Sequence, residues 1–156
     1  MPTKFKGKPN EVLALDTLIK LSRSMSAVGA RLLPPLQRDF GMTESQLGVL
    51  EALRHLGPLN QGRLCQKLLR SGSNLTTVID NLERDGLVRR ERDANDRRVQ
   101  VVHLTEKGEE RITSAFPHHA ARAAEVFSVL TEAEQRELGR LLRKLGRAQR
   151  TAQDTE

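Results

Sequence analysis

Apolar residues recur at three- and four-residue intervals along most of this chain, and the interruptions of that rhythm mark out its elements. From Glu11 to about Phe40, Val12, Leu13, Leu15, Leu18, Ile19, Leu21, Met25, Val28, Leu32 and Leu33 predict a long helix. Pro34-Pro35 should break or sharply kink it, since each ring removes a donor and the second restricts its predecessor, with Leu36 to Phe40 continuing as helix. Thr43-Glu44-Ser45-Gln46 has the form of a capping box, opening a helix to about Leu56 with Leu47, Leu50 and Leu53 inward, and Gly57-Pro58 ends it. Asn60 can cap a third helix, apolar along Leu64, Cys65, Leu68 and Leu69. A turn at Arg70 to Gly72 then leads into a fourth helix, starting near Ser71 to Ser73, which buries Leu75, Val78, Ile79 and Leu82 and ends at Gly86.

After Gly86 the period changes. Leu87 to Arg92 predicts a first strand, Asp93 to Asp96 carry turn chemistry, and Val99 to Leu104 predicts a β-branched second strand. Thr105 caps a helix to about Leu130, holding Ile112, Phe116, Val126 and Phe127, with a kink at Pro117. Thr131-Glu132-Ala133-Glu134 is a second capping box, followed by a narrow stripe of Leu138, Leu141, Leu142 and Leu145. This order predicts a mainly α fold with a small β-hairpin wing (α+β), a winged helix-turn-helix flanked by N- and C-terminal helices.

The polar positions add chemistry to this outline. Opposite the core side of the fourth helix lie Ser73, Asn74, Thr77, Asn81 and Arg84, short hydrogen-bonding groups where a solvated helix face more often carries Glu and Lys. Such groups reach phosphates or base edges, Asn pairing well with adenine and Arg with guanine. Around the hairpin turn sit Arg89, Arg90, Arg92, Arg97 and Arg98 without a single Lys, beside Asp93 and Asp96. Planar guanidinium groups suit phosphate and a narrow minor groove; taken alone, the same charges also fit a solvated edge hairpin protected against aggregation.

The run Leu82-Glu83-Arg84-Asp85-Gly86-Leu87-Val88-Arg89-Arg90, then Asp96-Arg97-Arg98, then Leu104-Thr105-Glu106-Lys107-Gly108, closely resembles the MarR-type winged-helix transcriptional regulators. The resemblance is strongest over residues 64–108 and extends more loosely, by helix order, to most of the chain. It implies that Arg98 is the wing arginine entering the minor groove and that Asp96 orients it, although Asp is an ordinary turn residue in any protein. It places Ser73, Asn74, Thr76, Thr77 and Arg84 in the helix that lies in the major groove, Thr76 off the centre of that face. Ser71 and Gly72 form its entry turn, where backbone N–H groups can meet a phosphate. Asn81, Arg90 and Arg97 complete the candidate DNA-binding set. The resemblance further implies a single domain over residues 1–156, with a DNA-binding lobe at 43–105 and dimerisation helices at 10–38 and 110–150. Small, often aromatic or phenolic, effectors bind between these layers in similar proteins and lower DNA affinity; no residue here identifies one.

Composition limits the alternatives. A chain of 156 residues suffices for one domain with a sizeable core. Its net charge of +6 favours a polyanion as partner, and residues 60–104 carry nine Lys and Arg against six Asp and Glu. Four Phe and no Trp or Tyr argue against a single-strand binder, which stacks bases on aromatic platforms, so double-stranded DNA is the expected partner. No apolar run reaches membrane-spanning length and no signal-peptide core follows the N-terminal lysines, so a cytoplasmic protein without membrane contact is expected. The single Cys65 excludes an internal disulfide and a Cys-based zinc cluster, and its place between Leu64 and Leu68 predicts a small core residue. His118-His119 with Glu125 is the one set suggestive of metal, but adjacent helical side chains diverge by about 100°, so no cofactor or metal is expected. Neither a phosphate loop nor a nucleophile elbow appears, and no enzyme activity is expected. The expected function is that of a sequence-specific duplex-DNA-binding regulator, read as a repressor, acting as a homodimer on a near-palindromic operator under a small ligand. The alternative is an architectural or nonspecific winged-helix DNA binder without an effector.

Overall fold

The computed structural model describes residues 4–68 and 72–153. Their elements follow in the order α1 (Pro9–Phe40), α2 (Glu44–Leu56), β1 (Leu59–Asn60), α3 (Gln61–Leu68), α4 (Gly72–Arg84), β2 (Val88–Arg92), β3 (Gln100–Leu104), α5 (Glu106–Phe127) and α6 (Glu132–Gln153). Two compact units divide at Ala120–Ala121, within α5.

In the first unit, α1 starts at Pro9, where a missing N–H costs nothing, and the Glu11 carboxylate accepts the Lys8 backbone N–H at 3.0 Å. Leu36 to Phe40 continue the helix past Pro34-Pro35, and α1 runs as one helix of 32 residues. The two rings do remove the donors that Ala30 and Arg31 would have received. What keeps the last turn helical is tertiary anchoring: Leu36 is buried in the core, and Arg111 Nη1 donates to the Phe40 carbonyl at 2.9 Å. Gly41, at φ +63°, then closes the helix by donating to Gln37 O, a conformation glycine adopts without strain.

Thr43 caps α2 as expected, its hydroxyl accepting from Gln46 N while the Gln46 side chain accepts from Thr43 N. Leu47, Leu50 and Leu53 face inward together with Val49. Asn60 Oδ1 caps α3 by accepting from Arg63 N at 2.8 Å. The core joins these residues to Leu64 of α3, Leu75, Ile79 and Leu82 of α4, Leu87, Val88 and Val102 around the sheet, and Ile112 and Ala115 of α5. Cys65 is only half-buried, packed against the edge of that core.

The predicted two-stranded hairpin is one strand short. The sheet has three strands in the order β1-β3-β2, all antiparallel, with Leu59 opposite Val102 and Arg90 on the other side of Val102. Two residues are too few to show an alternation, so β1 left no periodic signal. The turn between β2 and β3 is also longer than Asp93 to Asp96, because Arg97 and Arg98 belong to it. Asp93 Oδ1 organises its first half by accepting from the N–H groups of Asn95 and Asp96 at 2.8 and 3.0 Å.

α5 ends at Phe127, three residues before the predicted Leu130, because Ser128 and Leu130 turn back onto the carbonyls of Glu125 and Phe127. In the second unit Thr131 caps α6, its hydroxyl accepting from Glu134 N at 3.3 Å while Glu134 accepts from Thr131 N at 2.8 Å. Those hydrogen bonds to the Thr131 backbone and hydroxyl hold the Glu134 carboxyl below its ordinary range. Leu138, Leu141, Leu142 and Leu145 lie exposed along α6. Among the described residues no helix is long and apolar enough to cross a membrane.

Candidate nucleic-acid interface

The amphipathic pattern of α4 fixes which side chains it presents. With Leu75, Ile79 and Leu82 buried, Asn74, Thr76, Thr77 and Arg84 are exposed on the other side and Asn81 is half-exposed. Gly72 opens the helix, while Ser71 and the side chain of Ser73 lie outside the described residues, as do Leu69 and Arg70. Thr76 has a partner of its own, since Gln61 Nε2 donates to its hydroxyl at 2.5 Å and so ties α4 to the start of α3. Arg84 makes a loose pair with Asp85 at 3.4 Å and remains largely exposed.

At the wing tip, Asp96 and Arg98 form a compact unit. Asp96 Oδ1 accepts from both the backbone N–H and Nε of Arg98, at 3.0 and 3.1 Å, and Oδ2 accepts from Nη2 at 3.1 Å. Hydrogen bonds from the Arg98 side chain and backbone hold the Asp96 carboxyl below the usual carboxylate range. The guanidinium thus gains a fixed direction while 91% of the side chain stays in solvent. A bidentate grip on one edge leaves the remaining N–H donors pointing outward, the arrangement that suits insertion into an anionic groove. Arg97 is exposed beside it.

Arg90 is held differently from Arg98. Its side chain is only 19% exposed, with Nη1 donating to Glu83 Oε2 at 2.6 Å and Nη2 to Asp80 Oδ1 at 2.5 Å. Burial opposes the charge, but the bonds to Asp80 and Glu83 outweigh it and raise the Arg90 pKa. Each of its two terminal nitrogens thus bonds a carboxylate of α4. Asp80 and Glu83, which the periodicity of α4 presents as simple surface charges, are its partners. The available clue was physical: two acids beside a helix face otherwise made of neutral and basic polar groups are out of place unless something neutralises them. On the other side of the wing stem, Glu91 pairs with Arg89 and with His103 at 3.3 Å, and burial, then the charge of Arg89, lowers the His103 pKa.

The stem of the wing explains the Leu104-Thr105-x-x-Gly108 motif. Thr105 Oγ1 donates to Gly86 O at 2.7 Å and accepts from Gly108 N at 3.0 Å, joining the end of α4 to the cap of α5. A Cβ at Gly108 would sit 2.0 Å from Leu87 O, so only glycine fits. Lys107 Nζ donates to Asp85 O at 2.7 Å, beside the last turn of α4. His118 packs its ring on Phe40, centroids 5.5 Å apart, and among the described residues no group of three or more His, Cys, Asp or Glu is placed to hold a metal.

This arrangement has close counterparts. Residues 40–99 match the MarR family. The HTH-type transcriptional regulator YkoM of Bacillus subtilis is 40% identical over 109 residues, 70% of this chain and 71% of the relative. MhqR of the same organism, also an HTH-type transcriptional regulator, is 32% identical over 133 residues, 85% of this chain and 91% of the relative. Among solved structures, a MarR family regulator from Streptomyces coelicolor in complex with DNA superposes with a TM-score of 0.81 at 27% identity, covering 95% of this chain and 91% of that one. BpsR of Bordetella bronchiseptica, whose DNA binding is regulated by 6-hydroxynicotinic acid, gives a TM-score of 0.77 at 25% identity over 83% of this chain and 98% of that one. A three-stranded winged fold, a wing stem closed by Gly108 and relatives of this similarity lead to one conclusion: the chain belongs to the MarR family of transcriptional regulators.

Proposed function

We propose that this regulator binds double-stranded DNA sequence-specifically as a homodimer, placing α4 in the major groove and the wing tip in the flanking minor groove, and that it acts as a repressor. The observation that carries the proposal is the Asp96-held Arg98, aimed outward on the same winged unit as the exposed Asn74 and Thr77. Backbone contacts position such a protein and base-edge contacts give it sequence preference, so Asn74, Thr77 and Asn81 carry specificity while Arg84, Arg97 and Arg98 carry affinity. The backbone N–H groups of Gly72 and Ser73 at the start of α4 are suited to a phosphate. The named relatives are transcriptional regulators, and one structural counterpart is solved with DNA, which favours binding over catalysis. A cytoplasmic location follows from that partner.

Residues 10–38 and 110–150 are proposed as the dimerisation layer. Leu13, Leu18 and Met25 of α1 are exposed apolar side chains, and Leu141, Leu142 and Leu145 of α6 are exposed at helical spacing, a pattern that water disfavours. Two recognition helices related by a two-fold axis read half-sites about 34 Å apart, so the operator is a near-palindrome with a spacing of about one helical turn. A small aromatic effector lowers DNA affinity only by preferring a conformer in which that spacing is wrong; the 6-hydroxynicotinic acid response of BpsR supports this chemical class.

The reading is tested by selecting duplexes from a random-sequence pool with the purified protein. A near-palindrome bound at least about a thousandfold more tightly than its scrambled sequence at physiological salt supports a regulator. Equal affinity for both favours the architectural alternative.

A further inference from the structure

We infer that Arg90, gripped by Asp80 and Glu83, is the positioning residue that sets the wing against the recognition helix and so couples minor-groove to major-groove reading. The inference rests on the proposed DNA-binding function and assigns Arg90 a place behind the interface.

Three observations converge on it. First, both ends of the grip matter: Glu83 accepts from the backbone N–H of Arg90 at 2.9 Å as well as from its side chain, while Asp80, one helical turn earlier, takes the other guanidinium nitrogen. A planar fork bonded to two carboxylates on one helix fixes direction as well as distance, which an ammonium on a flexible stem cannot do. Second, β2 is an edge strand, and its Arg90 N–H is satisfied by α4 instead of by another strand. The polar bridges from the body of α4 to β2 meet at this residue, two positions before the strand runs out into the turn that carries Arg97 and Arg98. An angular error at Arg90 is therefore magnified at the tip. Third, the electrostatics run against affinity: two carboxylates on a DNA-facing helix, answered by one arginine, leave a net negative charge where the partner is a polyanion. A binder built for affinity alone would carry neutral residues at positions 80 and 83.

That third point gives a test in which positioning and simple charge predict opposite signs. The probe is the duplex that the parent protein selects from a random pool, with its scrambled sequence as control, measured by fluorescence anisotropy across a salt series. If the parent selects no duplex, the proposed function fails and the inference with it. If it does, D80N/E83Q is expected to bind the selected duplex about tenfold more weakly than the parent and the scrambled duplex at least as tightly, collapsing the specificity ratio. Tighter binding of the selected duplex by D80N/E83Q would show that the two acids are only an electrostatic burden and would overturn the inference. Should the double variant not fold, Glu83→Gln alone is expected to lose selected-duplex affinity to a smaller extent, and a gain there overturns the inference equally. Arg90→Lys is expected to fold but not to keep the specificity ratio. If Arg90→Gln instead weakens both duplexes alike and lowers the salt slope by about one, as loss of a phosphate contact does, Arg90 touches DNA and the assignment is wrong.

Discussion

Arg98 and Arg90 are chemically identical and stand eight residues apart, yet one is 91% exposed and the other 19%, and the proposed roles follow that difference. Arg98→Ala is expected to weaken binding to any duplex and to lower the salt slope by about one, with helical content and oligomeric state unchanged; an unaltered slope in anisotropy titrations would remove the wing from the contact. The Asp96 carboxyl is depressed in the native state, so its pairing is present above the ordinary Asp value and is lost as pH falls through the lowered one. A carboxyl-carbon NMR titration should find Asp96 ionising below the ordinary range, and closer to it in Arg98→Ala, which keeps only the backbone N–H; identical titrations in both would mean that the side-chain pairing is not formed in solution. The Asp96–Arg98 pair was legible through the resemblance of Asp96-Arg97-Arg98 to the MarR-type wing, since Asp alone is an ordinary turn residue. Arg90 was not, since a count of arginines around a hairpin does not say which of them meets acids seven and ten residues away on another element.

At the scale of elements, the helices declared themselves where periodicity and caps agreed. Thr43 and Gln46 close their box as read, and Thr43→Ala is expected to cost about 1 kcal/mol, measurable by urea denaturation. Gly108→Ala should destabilise by roughly 1–3 kcal/mol or more by forcing a Cβ into Leu87 O and prying the wing stem from α5; a neutral melting shift would contradict that packing. Ile79, fully buried beneath the polar face of α4, should cost roughly 2–5 kcal/mol as Ile79→Ala. The elements that stayed illegible have physical reasons. β1 is two residues long, too short for a pattern, and is made a strand by pairing with Val101 and Val102. The anchoring of α1 past Pro34-Pro35 uses Leu36 in a core and Arg111, 71 residues beyond Phe40, neither of which local propensity contains.

For the whole molecule, the charge of +6 makes association with any duplex salt-sensitive, and what separates a regulator from a general binder is the ratio between its own site and the rest. The proposed dimer would supply the second half of that ratio, because two half-sites must be met together. Leu141→Glu and Leu145→Glu in the exposed stripe of α6 are expected to give monomers by light scattering and to weaken operator binding without changing contact to a single half-site; dimers that persist would place the interface elsewhere. The measurement that tests the account most directly is the affinity of the parent protein, at physiological salt, for its selected duplex against the same bases scrambled. The account predicts a near-palindrome with half-sites about one helical turn apart and a preference of at least about a thousandfold. Equal binding to the two duplexes would contradict it.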